Sequence, residues 1–368
     1  MGKNILKRIM LIMYFVSVVL IILMSVRKII SIPVFSLAFI VQAVIIVIIH
    51  EFFHGISAEK NGLMFTSMYI GPFVLLRENR KFTGLKKVKF NGSYLGRANI
   101  ENREIKNDDD FKIHSNAWRK AIKAGPVSDI RISTVFIIIG ICTGIYEISI
   151  AVLMIDIFVC IPSFIYGDGE HLFLIKNNKV FEISVIYTYS MIGNISNQTD
   201  EYLYRKLIDE IDKTVLNDDS ILPLCIAAQS VIYKSIAEDK IIPESIKNTA
   251  KDIVNKGPKC FSQGMDIIYF RSLINTMILY YLCVEENKDY AERLYLYVKG
   301  MKCSVPGERL DKMRTEHILG KEDYKKEIES GKYRNQMFYG CVGFENMENI
   351  IDDKVIEYSY IKNKKTET

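Results

Sequence analysis

Hydrophobic positions in this chain follow two regimes. Up to about residue 175 they run together in blocks: "IMLIMYFVSVVLIILMSV", "VFSLAFIVQAVIIVIIHEFF", "ISTVFIIIGICTGIY" and "ISIAVLMIDIFVCIPSFIY". From about Asn197 onward they recur at helical spacing instead, as in "EYLYRKLIDEIDKTVL" and "LINTMILYYLCV". The first regime predicts four transmembrane helices, over about 10–26, 34–53, 131–146 and 148–166, of roughly the length a bilayer requires. One helix over the last two blocks would be about 35 residues long and would overshoot a core of about 30 Å, so a turn is expected around Glu147. The second regime predicts an all-α cytosolic domain over 197–368, joined to the membrane core (1–176) by a connector at 177–196. The pair of segments flanking "EENKDY" has the form of a tetratricopeptide-like helical hairpin, but no repeat period accompanies it. The expected fold class is therefore an α-helical membrane protein with a helical cytosolic domain.

Two stretches break the helical pattern. "GLMFTSMYIGPFVLL" is apolar but too short and too interrupted by Gly and Pro to span, and reads as a re-entrant or membrane-surface hairpin. "KKVKFNGSYLGRANI" alternates on both sides of Asn91-Gly92 and predicts a β-hairpin over 84–100.

Charge orients the spans. Fourteen Lys/Arg lie from Arg77 to Arg131, which the positive-inside rule places in the cytoplasm. Both termini are then cytoplasmic, in a cell membrane whose Ile/Lys/Asn-rich protein points to an AT-rich bacterial source. Arg27 and Lys28 fall outside, against the rule. Lys3, Lys7 and Arg8 before an apolar run resemble a secretory signal, but the run is about 17 residues long and no small-x-small cleavage site follows; a retained helix is expected. Elsewhere the 49% hydrophobic content and the net charge of +5 are unremarkable. The basic residues form no aromatic-interleaved stripe, so nucleic acid is excluded as a partner. Seven cysteines with no CxxC pair argue for reduced thiols.

Candidate chemistry sits at the end of the second span, in "HEFFHG". Residues four apart share a helix face, so His50 and His54 can present both imidazoles to one zinc ion, with Glu51 beside them as general base. Ionisable side chains in a span are costly and mark function by default. A catalytic zinc needs a third protein ligand. Asp156 lies mid-span, too far from the level of His50, and His114 in a soluble charged loop. Span two runs inward, placing His50 about 16 residues or roughly 24 Å along it. Span four also runs inward and brings "YGDGEHL" to the same depth. Asp168, between Gly167 and Gly169, is the expected ligand, and His171 the next candidate.

"HEFFHG" (50–55), "AGPVSD" (124–129) and "DGEHL" (168–172) together resemble the site-2 protease family of intramembrane zinc metalloproteases over roughly residues 34–175. The resemblance implies one Zn2+ on His50, His54 and Asp168, and Glu51 as catalytic base. It also implies cleavage of a membrane-spanning protein or peptide substrate within the lipid bilayer. The chain departs from the family pattern at Cys160 and Asp129, where Asn is usual, and at Glu170, where the family has a second Gly. The alternative is a non-proteolytic zinc-binding membrane protein whose helical cytosolic domain recruits a partner.

Overall fold

The computed structural model describes residues 30–88, 96–193, 196–261, 265–300, 302–303, 306–334 and 342–366, with six isolated positions between 15 and 26. The expected first span, 10–26, falls mostly outside the described residues, and so does the Asn91-Gly92 turn. The chain is mostly helical and divides into two compact units. One comprises residues 1–86, 95–99 and 116–174; the other comprises 87–94, 100–115 and 175–368.

The first unit is built on α1 (Ile32–Lys60), which has Pro33 in its first turn, where a missing N–H costs nothing. The Ser31 N–H donates to the Glu147 carboxylate, tying this end to the start of α3. Val34, Leu37, Ile40, Val41 and Val44 are exposed, so the helix turns most of its apolar surface outward. Four strands follow: β1 (Met64–Ile70), β2 (Phe73–Glu78), β3 (Lys81–Lys87) and β4 (Gly96–Glu101). β1 and β2 form an antiparallel hairpin with Ile70 opposite Phe73, so the broken apolar stretch is indeed a hairpin. The sheet order is β3-β2-β1-β4. Among the described residues β3 and β4 therefore occupy opposite edges and do not pair with each other, while the turn of the hairpin expected over 84–100 lies outside the described residues. Asn-Gly signals a local turn only; side-chain bonding favours β1 as the neighbour of β4, with Asn99 Nδ2 donating to Ser67 Oγ and Thr66 Oγ1 to the Asn99 carbonyl.

α2 (Asp108–Thr143) is one helix of 36 residues, longer than the span expected at 131–146 because three aspartates at its start favour the positive end of the helix dipole. His114 thus lies in a helix and not in a loop. A turn at Gly144 and Ile145 leads to α3 (Tyr146–Ser163), which carries a π-turn at Asp156–Cys160. A second π-turn, Phe164–Asp168, is broken at Gly167 (φ −127°, ψ −107°), and α4 (Gly169–Asn177) follows. Ile46, Val152 and Ile155 form a small core where α1, α2 and α3 meet, with Phe39, Ile132 and Phe136 packed on it.

The second unit contains α5 (Lys179–Ile192), α6 (Asn197–Lys213), α7 (Ile221–Glu238), α8 (Glu244–Lys256), α9 (Met265–Cys283), α10 (Lys288–Val298), α11 (Pro306–Ile318), α12 (Lys325–Glu329) and α13 (Val342–Thr366). The stretch 177–196 thus includes a helix, α5, with Val180, Phe181, Ile183 and Ile186 buried. Asn178, Ser196 and Asn287 each cap a helix by accepting a backbone N–H three residues on. Thr199, Leu203, Leu207 and Ile211 form the buried stripe of α6 at i, i+4 spacing.

Among the described residues, four helices are long and apolar enough to cross a membrane: α1, α2, α3 and α7. Their burial separates them. The apolar windows of α1, α2 and α3 are 11%, 28% and 22% buried, whereas that of α7 is 61% buried. Protein packing accounts for the hydropathy of α7, and not for that of the other three.

Candidate metal centre

α1 carries His50 and His54 on consecutive turns of one face, with ring centroids 4.5 Å apart and ring planes at 82°. The break at Gly167 ends the helical run of α3 and delivers Asp168 to them. Asp168 Oδ2 lies 3.0 Å from His50 Nε2 and 3.2 Å from His54 Nε2, and the two Nε2 atoms are 2.9 Å apart. These three side chains offer one ligand atom each, all within 4.8 Å of one another, and the group can hold a metal ion.

The outer face of each ring decides which nitrogen is bare. His54 Nδ1 is 2.7 Å from the Ala121 carbonyl, which only accepts, so Nδ1 carries the proton. His50 Nδ1 is 2.8 Å from Asp129 Oδ2 and donates to it. In neutral imidazoles both Nε2 atoms are then unprotonated, and two lone pairs and a carboxylate oxygen converge with no hydrogen among them. That arrangement is repulsive without a cation and is the donor set of a ligated one, with outer partners of the kind that orient metal-bound histidines. Charge points the same way. Glu51, Asp129 and Asp168 put three carboxylates in one place, against which a divalent ion supplies two compensating charges.

α2 approaches closely enough to do this because of Gly125. A Cβ there would stand 2.3 Å from His54 Nε2 and 2.8 Å from His50 Cε1. Glu51 is held from the other side by β4. The Ala98 backbone hydrogen-bonds its carboxylate, and a Cβ on Gly96 would lie 2.6 Å from Glu51 Cγ.

His50, Glu51, His54 and Asp168 thus come together. His171 is exposed and does not join the ligand group. Asp156 accepts from Ser133 Oγ at 2.7 Å, and His114 Nδ1 donates to the Asp110 carbonyl within α2. Sequence reasoning noted Asp129 only as a departure from a pattern and missed Ala121, Gly96 and Ala98. The available signal was the spacing Ala121, Gly125, Asp129, a single helix stripe running through "AGPVSD". Neither protein-family models, nor curated proteins, nor solved structures yield a match to the chain.

Proposed function

We propose that the protein is an intramembrane zinc endopeptidase, with His50, His54 and Asp168 as metal ligands and Glu51 as general base. The observation that carries this reading is the convergence of His50 Nε2, His54 Nε2 and Asp168 Oδ2 beside Glu51, on a helix with an outward apolar surface. Two imidazoles and one carboxylate also suit ferrous iron. Glu51 favours zinc, because a carboxylate outside the ligand set has a role in hydrolysis and none in ligating iron. When bound, zinc would polarise the scissile carbonyl and lower the pKa of water toward about 7.

The chain's own residues supply the rest. Glu51 takes a proton from the attacking water and passes it to the leaving amide nitrogen. The Ala98 backbone keeps the Glu51 carboxylate facing the ligand cluster. β4 is an outer strand, so a substrate segment unwound from its helix and added to β4 would bring its backbone to Glu51. Three apolar, poorly buried helices support a membrane setting, and the basic stretch from Arg77 to Arg131 supports a cytoplasmic approach of water.

The test pairs metal analysis with cleavage of a reporter membrane peptide. Wild type is expected to hold about one zinc and to cleave. His54→Ala and Asp168→Ala should lose both, whereas Glu51→Gln should keep the zinc and lose cleavage. Cleavage by zinc-loaded Glu51→Gln would overturn the mechanism. Iron in place of zinc, or no metal at all, would overturn the enzyme class.

A further inference from the structure

The two histidines of the centre are anchored in unlike ways. His54 donates from Nδ1 to a backbone carbonyl, that of Ala121, which no substitution at position 121 removes. His50 donates from Nδ1 to a side chain, Asp129. The residues concerned, Ala121, Gly125 and Asp129, stand four apart along α2 and form one stripe. Its first member serves one ring, its last serves the other, and the glycine between them leaves room for both. Position 129 is therefore the point on this stripe where side-chain identity decides how a ligand is held.

We propose that Asp129 is a positioning residue of the metal centre: its carboxylate fixes the ring and tautomer of His50 and thereby sets how tightly the centre holds its ion. This inference rests on the metal-centre reading above. Its geometry is specific. The His50 and Asp129 side chains are 12% and 8% exposed, so water does not compete well for the Nδ1–H. Remove the acceptor, and His50 has two options. It can keep a buried donor unpaired, at about 1–3 kcal/mol. Or it can move the proton to Nε2, where it occupies the lone pair meant for the metal. Either outcome weakens ligation.

Nothing else on α2 substitutes for the carboxylate. Ser133, one turn further along, has its hydroxyl committed to Asp156. Ser128 donates to the Gly125 carbonyl. Among the described residues Asp129 Oδ1 has no hydrogen-bond partner, so the interaction of this side chain with His50 through Oδ2 is not shared with a competing donor. An asparagine could accept the same bond through its amide oxygen, but it lacks the negative charge that makes the imidazole a stronger donor to a cation. It would also put two buried N–H groups where the carboxylate presents an oxygen.

The experiment measures Zn2+ affinity of the purified full chain by chelator competition, for wild type, Asp129→Asn, Asp129→Ala and Asp156→Asn. Zn2+ binding is expected to weaken about 10-fold in Asp129→Asn and toward 100-fold in Asp129→Ala, the range seen when outer partners of metal ligands are lost. Asp156→Asn, which removes a nearby carboxylate that does not touch a ligand, should stay within about 2-fold of wild type. The Co2+-substituted protein supplies a readout that general destabilisation does not mimic. Its visible absorption bands should shift in Asp129→Asn, as the ligand field of His50 changes, and stay unchanged in Asp156→Asn. Asp129→Asn is nearly isosteric and carries the test if Asp129→Ala fails to fold. Wild-type affinity and an unshifted Co2+ spectrum in Asp129→Asn would overturn the role of Asp129 alone. Equal weakening by Asp156→Asn would also overturn it, by making the effect one of net charge. A wild type that takes up no Zn2+ would overturn the metal-centre reading, and this inference with it.

Discussion

Gly125 stands where α2 passes the two imidazoles, and a single methyl group there has no room. Its Cβ would meet His54 Nε2 at 2.3 Å and His50 Cε1 at 2.8 Å, both ring atoms of the ligand cluster. Overpacking of this kind costs about 1–3 kcal/mol where the neighbours cannot yield, and here the yielding atoms are the ligands themselves. Gly125→Ala is therefore expected to lose zinc or bind it at least about 10-fold more weakly. Zinc content per chain reads this directly, and full retention would contradict the placement of the rings. The same scale explains what the sequence disclosed about the site. His50, Glu51 and His54 were legible because their geometry is fixed by one helix. Asp168 was reached through the expectation that the spans bearing it and His50 run in the same direction to a similar depth, and the structure places Asp168 Oδ2 3.0 Å from His50 Nε2. Asp129 and Ala121 act on rings 79 and 67 residues away in sequence, through contacts that no local period encodes.

Helices and strands were legible in proportion to how local their causes are. The apolar blocks gave α1, α3 and the later part of α2, but hydropathy alone does not distinguish a helix facing lipid from one facing protein. α7 shows this, since its composition would suit a membrane while most of its apolar window is buried. The strands either side of 89–95 make a similar point: alternation and Asn-Gly specify a turn, whereas β4 finds its neighbour in β1 and not in β3. Helix ends also carry titratable contacts that hydropathy does not reveal. His317, in the last turn of α11, accepts the Tyr324 N–H on Nδ1 and so pins the turn that follows. Burial, more than the opposing attraction of exposed Asp323, holds this imidazole below its ordinary value of 6.5. A depressed folded-state value means that the unfolded chain binds the proton first. The contribution of His317 is thus complete above pH 6.5 and is lost as pH falls through the folded-state value. Thermal unfolding of the second unit, followed by far-UV circular dichroism, should lose stability below pH 6.5 in wild type. His317→Asn, which keeps an acceptor without the titration, should flatten that loss. An identical pH dependence in the variant would remove His317 as its source.

At the scale of the whole molecule, the three residues proposed as metal ligands are far apart in sequence yet all lie in one compact unit. His50 and His54 come from α1 and Asp168 from the broken end of α3, 114 residues beyond His54. An ion bound by all three joins segments that otherwise meet through three mutually repelling acceptors. Binding to the folded state alone stabilises by mass action, about 4 kcal/mol at a free concentration 1,000 times Kd. The chain has a single tryptophan, Trp118, buried on α2 one turn before Ala121, within the same unit. Its emission therefore reports the unfolding of the unit that holds the centre. Stripping the metal with a chelator is expected to lower the Trp118 transition by several degrees, and restoring Zn2+ should return it. The size of the shift should track free Zn2+ logarithmically, since each tenfold change in excess ligand is worth about 1.4 kcal/mol. Asp168→Ala, which removes one of the three ligands, should abolish the dependence on Zn2+. Glu51→Gln, which leaves all three in place, should preserve it. A Trp118 transition indifferent to Zn2+ in the wild type would mean that these side chains converge without binding an ion, and the three acceptor atoms would then need protons in its place.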